Sequence, residues 1–113
     1  MDLARLRVDL TFVDDVPVVE TEGELNSWTV QDFERALVRA ADGGGRMVVV
    51  DLTRVQSLDV GALRVLQQVC SRLGPDRKLC AVACGQARRT LEMTRFDEII
   101  SIYPKLQQAL DTG

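Results

Sequence analysis

Apolar residues at Leu6, Val8, Leu10 and Phe12 alternate with polar ones, the two-residue period of a strand with one buried face. Asp14 and Asp15 make a turn, and Pro17 to Thr21 reads as the returning strand of a hairpin. The stretch GELNSW then breaks that strand. Asn26 or Ser27 can cap the helix that follows, because their side-chain oxygens accept from the unpaired N–H groups of a first turn. Val30, Phe33, Leu37 and Ala41 recur at helical spacing, with Asp32, Glu34, Arg35 and Arg39 on the other faces, and three glycines from Gly43 end the helix. Met47 to Leu52 is short, apolar and β-branched, as expected of a central strand buried on both faces. After Asp59, the residues Leu63, Leu66, Cys70 and Leu73 share one helical stripe that Gly74-Pro75 stops. Leu79 to Cys84 reads as another buried strand, Gln86 to Thr94 as a short helix and Ile99 to Ile102 as a short last strand. Pro104 starts a closing helix with Leu106, Ala109 and Leu110 inward. The order ββαβαβαβα predicts an α/β fold with a mixed, mostly parallel β-sheet and covering helices. Strand–helix–strand units imply parallel pairing with right-handed crossovers, and the hairpin adds an antiparallel edge.

A chain of 113 residues is expected to form a single domain over 1–113, and it is long enough to bury roughly two-thirds of its unfolded surface. Hydrophobic residues at 46% and charged ones at 27% are the ordinary balance of a soluble domain. A net charge of −3 argues against a nucleic-acid or anionic-membrane footprint, which needs a basic patch. No apolar run approaches the ~20 residues of a membrane span, and no signal peptide is read before the first strand, so no membrane insertion and a cytoplasmic location are expected.

The chain has no histidine, which removes the commonest general base and metal ligand together. Cys70, Cys80 and Cys84 lack CxxC spacing; Cys80 and Cys84 point to one face of a strand, and all three read as small hydrophobes rather than a redox switch. No GxxxxGK[ST] or GxGxxG is present, and the glycine run lies between a helix and a strand, the reverse of a phosphate loop. No enzyme activity, cofactor or metal is expected.

The stretches VVETEGELN, VVVDLTRVQSLDVGAL and LEMTRFDEIISIYPKLQQAL resemble the STAS domain family, which contains the bacterial anti-sigma factor antagonists and modules of sulfate transporters. The middle stretch follows the family spacing without a gap: Asp51-Leu52, Val55, Leu58-Asp59, Leu63. In that family the residue matching Asp59 is usually followed by Ser, then Ser or Thr, then Gly. The second hydroxyl is the phosphate acceptor for a partner kinase that is also the anti-sigma factor. Here the three positions read Val60, Gly61 and Ala62. The acceptor position falls on Gly61, or on Val60 if the alignment slips by one, and neither has a hydroxyl.

The resemblance therefore implies a docking surface without the switch. Two helix entries would meet at one end of the sheet, with Glu24, Asn26, Ser27, Asp59, Val60, Gly61, Ala62 and Arg64 as candidate partner-binding residues. Asp59 reads as a helix cap, as a partner contact, or as both. Gly61 either relieves crowding from a nearby loop or lets a partner backbone approach. Ser57 and Thr53 stay open as substitute acceptors, but they lie before the helix, outside the family register, and read rather as solvated loop residues. Trp28 reads equally as core or as an exposed interface anchor.

Three functions follow for testing. The first is an interaction module that binds an anti-sigma factor of the kinase-like ATPase type and frees a sigma factor without phosphorylation at the family site. The second is an accessory subunit for another client, such as a transporter ATPase. The third is an enzyme or nucleotide-binding domain, for which no catalytic constellation is found. A homodimer stays open.

Overall fold

A computed structural model describes residues 6–112. Asp14 and Asp15 both hold positive φ (53° and 65°), the two-residue hairpin turn whose twist matches its strands. They join β1 (Leu6–Val13) to β2 (Val16–Leu25), with Val13 opposite Val16. Then come α1 (Val30–Asp42), β3 (Met47–Leu58), α2 (Val60–Leu73), β4 (Lys78–Val82), α3 (Gly85–Met93), a 3-10 turn (Phe96–Glu98), β5 (Ser101–Tyr103) and α4 (Leu106–Leu110). The five strands lie in chain order, β1-β2-β3-β4-β5. Only the β1–β2 pair is antiparallel. The predicted order and the mixed, mostly parallel sheet are what is found.

The strands' two-residue period sorts their side chains between two cores. Val19, Val48, Val50, Leu52, Leu79 and Ala81 face α1, α2 and α3. Val18, Met47, Val49, Cys80 and Val82 face the other way, against α4 and its Ala109. β3 is thus buried on both faces over its first half, as its apolar run predicts. α4 is short, and it leaves part of the second face open. There Arg7, Asp9, Glu20, Glu22, Asp51, Thr53 and Arg54 line a shallow depression.

Several boundaries differ from the sequence expectation. GELNSW does not break β2, which runs on to Leu25. Instead the β2–β3 register shifts twice, between Glu20 and Glu22 and between Gly23 and Glu24. Gly23 takes φ 118° there, a conformation that other residues rarely adopt. These shifts let β3 continue to Leu58, so Thr53 and Ser57 are strand residues and not loop residues. β4 stops at Val82, and Cys84 is exposed at the start of α3, so Cys80 and Cys84 share no strand face. Burial pushes the Cys70 and Cys80 thiols up. The last strand is Ser101–Tyr103, because Ile99 closes the 3-10 turn and is 51% exposed.

Thr21 sits on the inward face of β2, 4% exposed, and its Oγ1 has no hydrogen-bond partner. A buried hydroxyl left unpaired costs about 1–3 kcal/mol. Thr21→Val keeps the shape and removes the orphan, and is expected to stabilise the fold by about 1 kcal/mol. The check is a higher urea midpoint at unchanged m-value.

Candidate functional site

Parallel pairing puts the ends of β2 and β3 side by side, with Glu24 opposite Ser57 and Leu25 opposite Leu58. The Asp59 amide then donates to the Leu25 carbonyl at 3.2 Å. Both chains leave the sheet at this point, so α1 and α2 begin next to each other. This is the carboxyl end of the parallel strands, where open α/β sheets place their functional sites.

The α1 entry is a tied-down turn. The Asn26 carbonyl accepts from the Thr29 and Val30 amides at 3.1 and 3.0 Å. Asn26 Oδ1 accepts from the Trp28 amide at 2.8 Å. Thr29 Oγ1 donates to the Glu24 carbonyl at 2.7 Å and accepts from the Asn26 amide at 3.1 Å. Neither Asn26 nor Ser27 is the N-cap; that position is Thr29, whose hydroxyl is spent on the strand end. Sequence reading missed Thr29, although a hydroxyl directly before the first apolar helical residue was the signal.

The α2 entry follows the expectation. Asp59 is the N-cap in extended conformation, and its Oδ1 accepts from the Ala62 amide at 3.0 Å. The Asp59 carbonyl accepts from the Leu63 amide at 3.2 Å. A Cβ on Gly61 would stand 3.2 Å from Asp59 Oδ1 and 3.7 Å from Val30 Cγ2. Gly61 therefore faces its own cap and the first residue of α1. Its bare backbone relieves crowding between the two helix starts.

Six of the eight candidates come together here: Glu24, Asn26, Ser27, Asp59, Val60 and Gly61. Glu24 and Ser27 are exposed, while Asn26, Asp59 and Gly61 are half-buried. Val60 is 69% exposed. Arg64 is exposed one helical turn further on, on the side of Val60. Ala62 leaves the set: its side chain is fully buried in the core and its amide is taken by Asp59. Trp28 is 85% exposed, so it is no core residue. With Val60 it gives the site two apolar projections among polar groups.

The first turn of α2, Val60, Gly61 and Ala62, carries no hydroxyl. Ser57 is half-buried in β3. Thr53 lies on the open sheet face, where its Oγ1 donates to Asp51 Oδ1 at 2.7 Å. Among the described residues no group of side chains is placed to hold a metal ion.

A family model described as the STAS domain matches residues 7–109. No protein of curated function matches the sequence. Among solved structures, an anti-sigma factor antagonist from Mycobacterium paratuberculosis is 28% identical, with a TM-score of 0.90 over 96% of this chain and 93% of that one. An anti-sigma-factor antagonist (STAS) domain protein from Planctomyces limnophilus is 18% identical, with a TM-score of 0.81 over 93% of this chain and 96% of that one. The Bacillus cell fate determinant SpoIIAA in its phosphorylated form is 14% identical, with a TM-score of 0.66 over 94% and 98%. The last two share the fold.

The Asp59 cap generates a direct test. Asp59→Ala is expected to cost about 1 kcal/mol, whereas Asp59→Asn, an equally good cap, costs only a few tenths. Urea unfolding of the two variants reads the difference.

Proposed function

This chain belongs to the STAS domain family, and we propose that it is a single-domain interaction module acting as an anti-sigma factor antagonist. On this reading it binds an anti-sigma factor of the kinase-like ATPase type in the bacterial cytoplasm and frees a sigma factor. It works as a docking protein and not as a catalyst. The observation that carries the reading is the pair of helix entries, where the capped α2 turn starts beside the end of β2 and Trp28 stands exposed at the α1 entry. The similarity to the mycobacterial antagonist over nearly the whole chain supports the same role.

Control differs from the phosphorylated members of the family. Phosphoryl transfer to a side chain needs a hydroxyl oxygen held in line with the γ-phosphate. Val60, Gly61 and Ala62 supply none. A phosphate would add about −1.5 to −2 charges beside Asp59 and so drive a docked partner off. Without it the domain stays competent to bind, and control acts through its abundance or through the partner. Trp28 and Val60 supply the apolar contact, since exposed tryptophans are enriched at interface hot spots.

The test mixes the chain with its kinase-type anti-sigma factor and ATP, then weighs the intact protein. The expected result is an unmodified mass and a retained complex. A stoichiometric phosphate on Ser57 or Thr53 that releases the partner would overturn the reading. In Gly61→Ser the new Cβ must shift Asp59 Oδ1 by a few tenths of an ångström, and this variant is expected to gain one phosphate and to become ATP-sensitive. Trp28→Ala should weaken the complex by about 30-fold. Trp28 is the only tryptophan, so a blue-shifted emission on complex formation reports its burial directly.

A further inference from the structure

The open sheet face carries two rows of charge that run across the strands. In one, Arg7 faces Glu22, and Glu22 faces Arg54. Signs alternate there, and Arg7 reaches Glu22 at 3.9 Å. In the next row, Asp9 faces Glu20, and Glu20 faces Asp51. Neighbouring strands lie about 4.8 Å apart, so three acidic residues stand in line at that backbone spacing. Like charges directly opposite each other destabilise a sheet. Among the described residues no cation occupies that row.

The row ends at β1, which among the described residues is the outer strand of the sheet and pairs with β2 alone. Its free edge presents unpaired N–H and C=O groups, a template for another strand. On its other face Leu6, Val8 and Leu10 pack on the core but are only partly buried. The edge is therefore amphipathic, with an apolar side, a charged side and an unused backbone ladder.

We propose that β1 pairs antiparallel with β1 of a second copy of this chain, on a two-fold axis through Val8. Charge and burial select that register. With Val8 opposite the partner's Val8, Leu6 meets the partner's Leu10, Arg7 meets the partner's Asp9, and Asp9 meets the partner's Arg7. A two-fold at Arg7 or at Asp9 opposes like charges instead. A two-fold at Leu10 leaves both charges without an ionic partner. An axis between residues sets the apolar side of one strand beside the polar side of the other. Only the Val8 register continues the carboxylate row with a cation, running Asp51, Glu20, Asp9 and then the partner's Arg7. The two five-stranded sheets become one. The inference rests on the sheet edge and is independent of the reading of the helix entries.

Sedimentation equilibrium of the purified chain tests it, sampled from about 10 to 300 µM, the range that suits a small interface. The expected mass rises with concentration toward twice 12.5 kDa. Arg7→Asp and Asp9→Arg each oppose like charges in both cross-dimer pairs and should weaken association at least about tenfold. An equimolar mixture of the two variants matches opposite charges again and should dimerise like the wild type. Amide exchange needs no substitution, and exchange within β1 should slow as concentration rises through the dissociation constant. A wild-type chain that stays monomeric with β1 exchange unchanged overturns the proposal. So does a dimer that both single variants leave intact, which places the contact elsewhere. If the charges serve only to keep the edge unpaired, the wild type and both variants all remain monomers.

Discussion

The parallel pairing of β3 with β2 is the constraint on which the rest of the molecule depends. It places Val48, Val50 and Leu52 under α1 and α2 and turns Met47 and Val49 toward α4. Each such buried apolar side chain contributes about 1.5–3 kcal/mol relative to exposure. The same ladder, carried past two register shifts, brings Leu25 and Leu58 together and ties the Asp59 amide to the Leu25 carbonyl. Core and site are thus two ends of one strand pair. A residue lost from the ladder would move the helix entries relative to each other, because the Leu25–Asp59 hydrogen bond fixes where both begin.

The helix entries show how little chemistry such a site needs. Asp59 meets the start of α2 with a fixed negative charge, where the helix dipole and the free amides favour one. Thr29 spends its hydroxyl on the end of β2 and so fixes where α1 begins. Gly61 then lets the two starts close up, at 3.2 Å from the Asp59 carboxylate for a Cβ it does not carry. What remains outward is Trp28 and Val60, rimmed by Glu24, Ser27 and Arg64. Hydrogen bonds within the turns tie down the backbone beneath these side chains.

The second sheet face divides at the reach of α4. Where the short helix lies, the face is apolar and buried; beyond it, strands of the same period carry carboxylates and arginines. Asp9 and Glu20 oppose each other across the hairpin, Asp51 continues the row on β3, and the row's other end is the β1 edge. Helix entries and sheet edge are separate surfaces, so one domain has room for both kinds of contact.

Apolar spacing, punctuated by glycine, proline and capping residues, was enough to find the strands and α-helices of the described residues, because burial on one or two faces writes itself into that spacing: alternating in β1, continuous in β3, one stripe in α2. The Asp59 cap was equally legible, since a carboxylate directly before an apolar helix can accept from its free amides, and the lack of a hydroxyl at Val60, Gly61 and Ala62 is a plain matter of residue type. Boundaries were harder. The stretch GELNSW contains turn residues, yet β2 persists because β3 supplies its hydrogen bonds and Gly23 absorbs the register shift. Cys84 has the apolar neighbours of a strand residue but falls beyond the last residue that β5 pairs with. Ala62 and Trp28 could be sorted only in three dimensions, one inside the core and one 85% exposed, because which side of a helix entry faces solvent depends on the element packed against it. Residue type and local period were enough for the elements, their order and the absence of a hydroxyl at Val60, Gly61 and Ala62. Only the tertiary structure decided which charges share a row and which helix starts touch, since those follow from strand register, a relation between segments far apart in the chain.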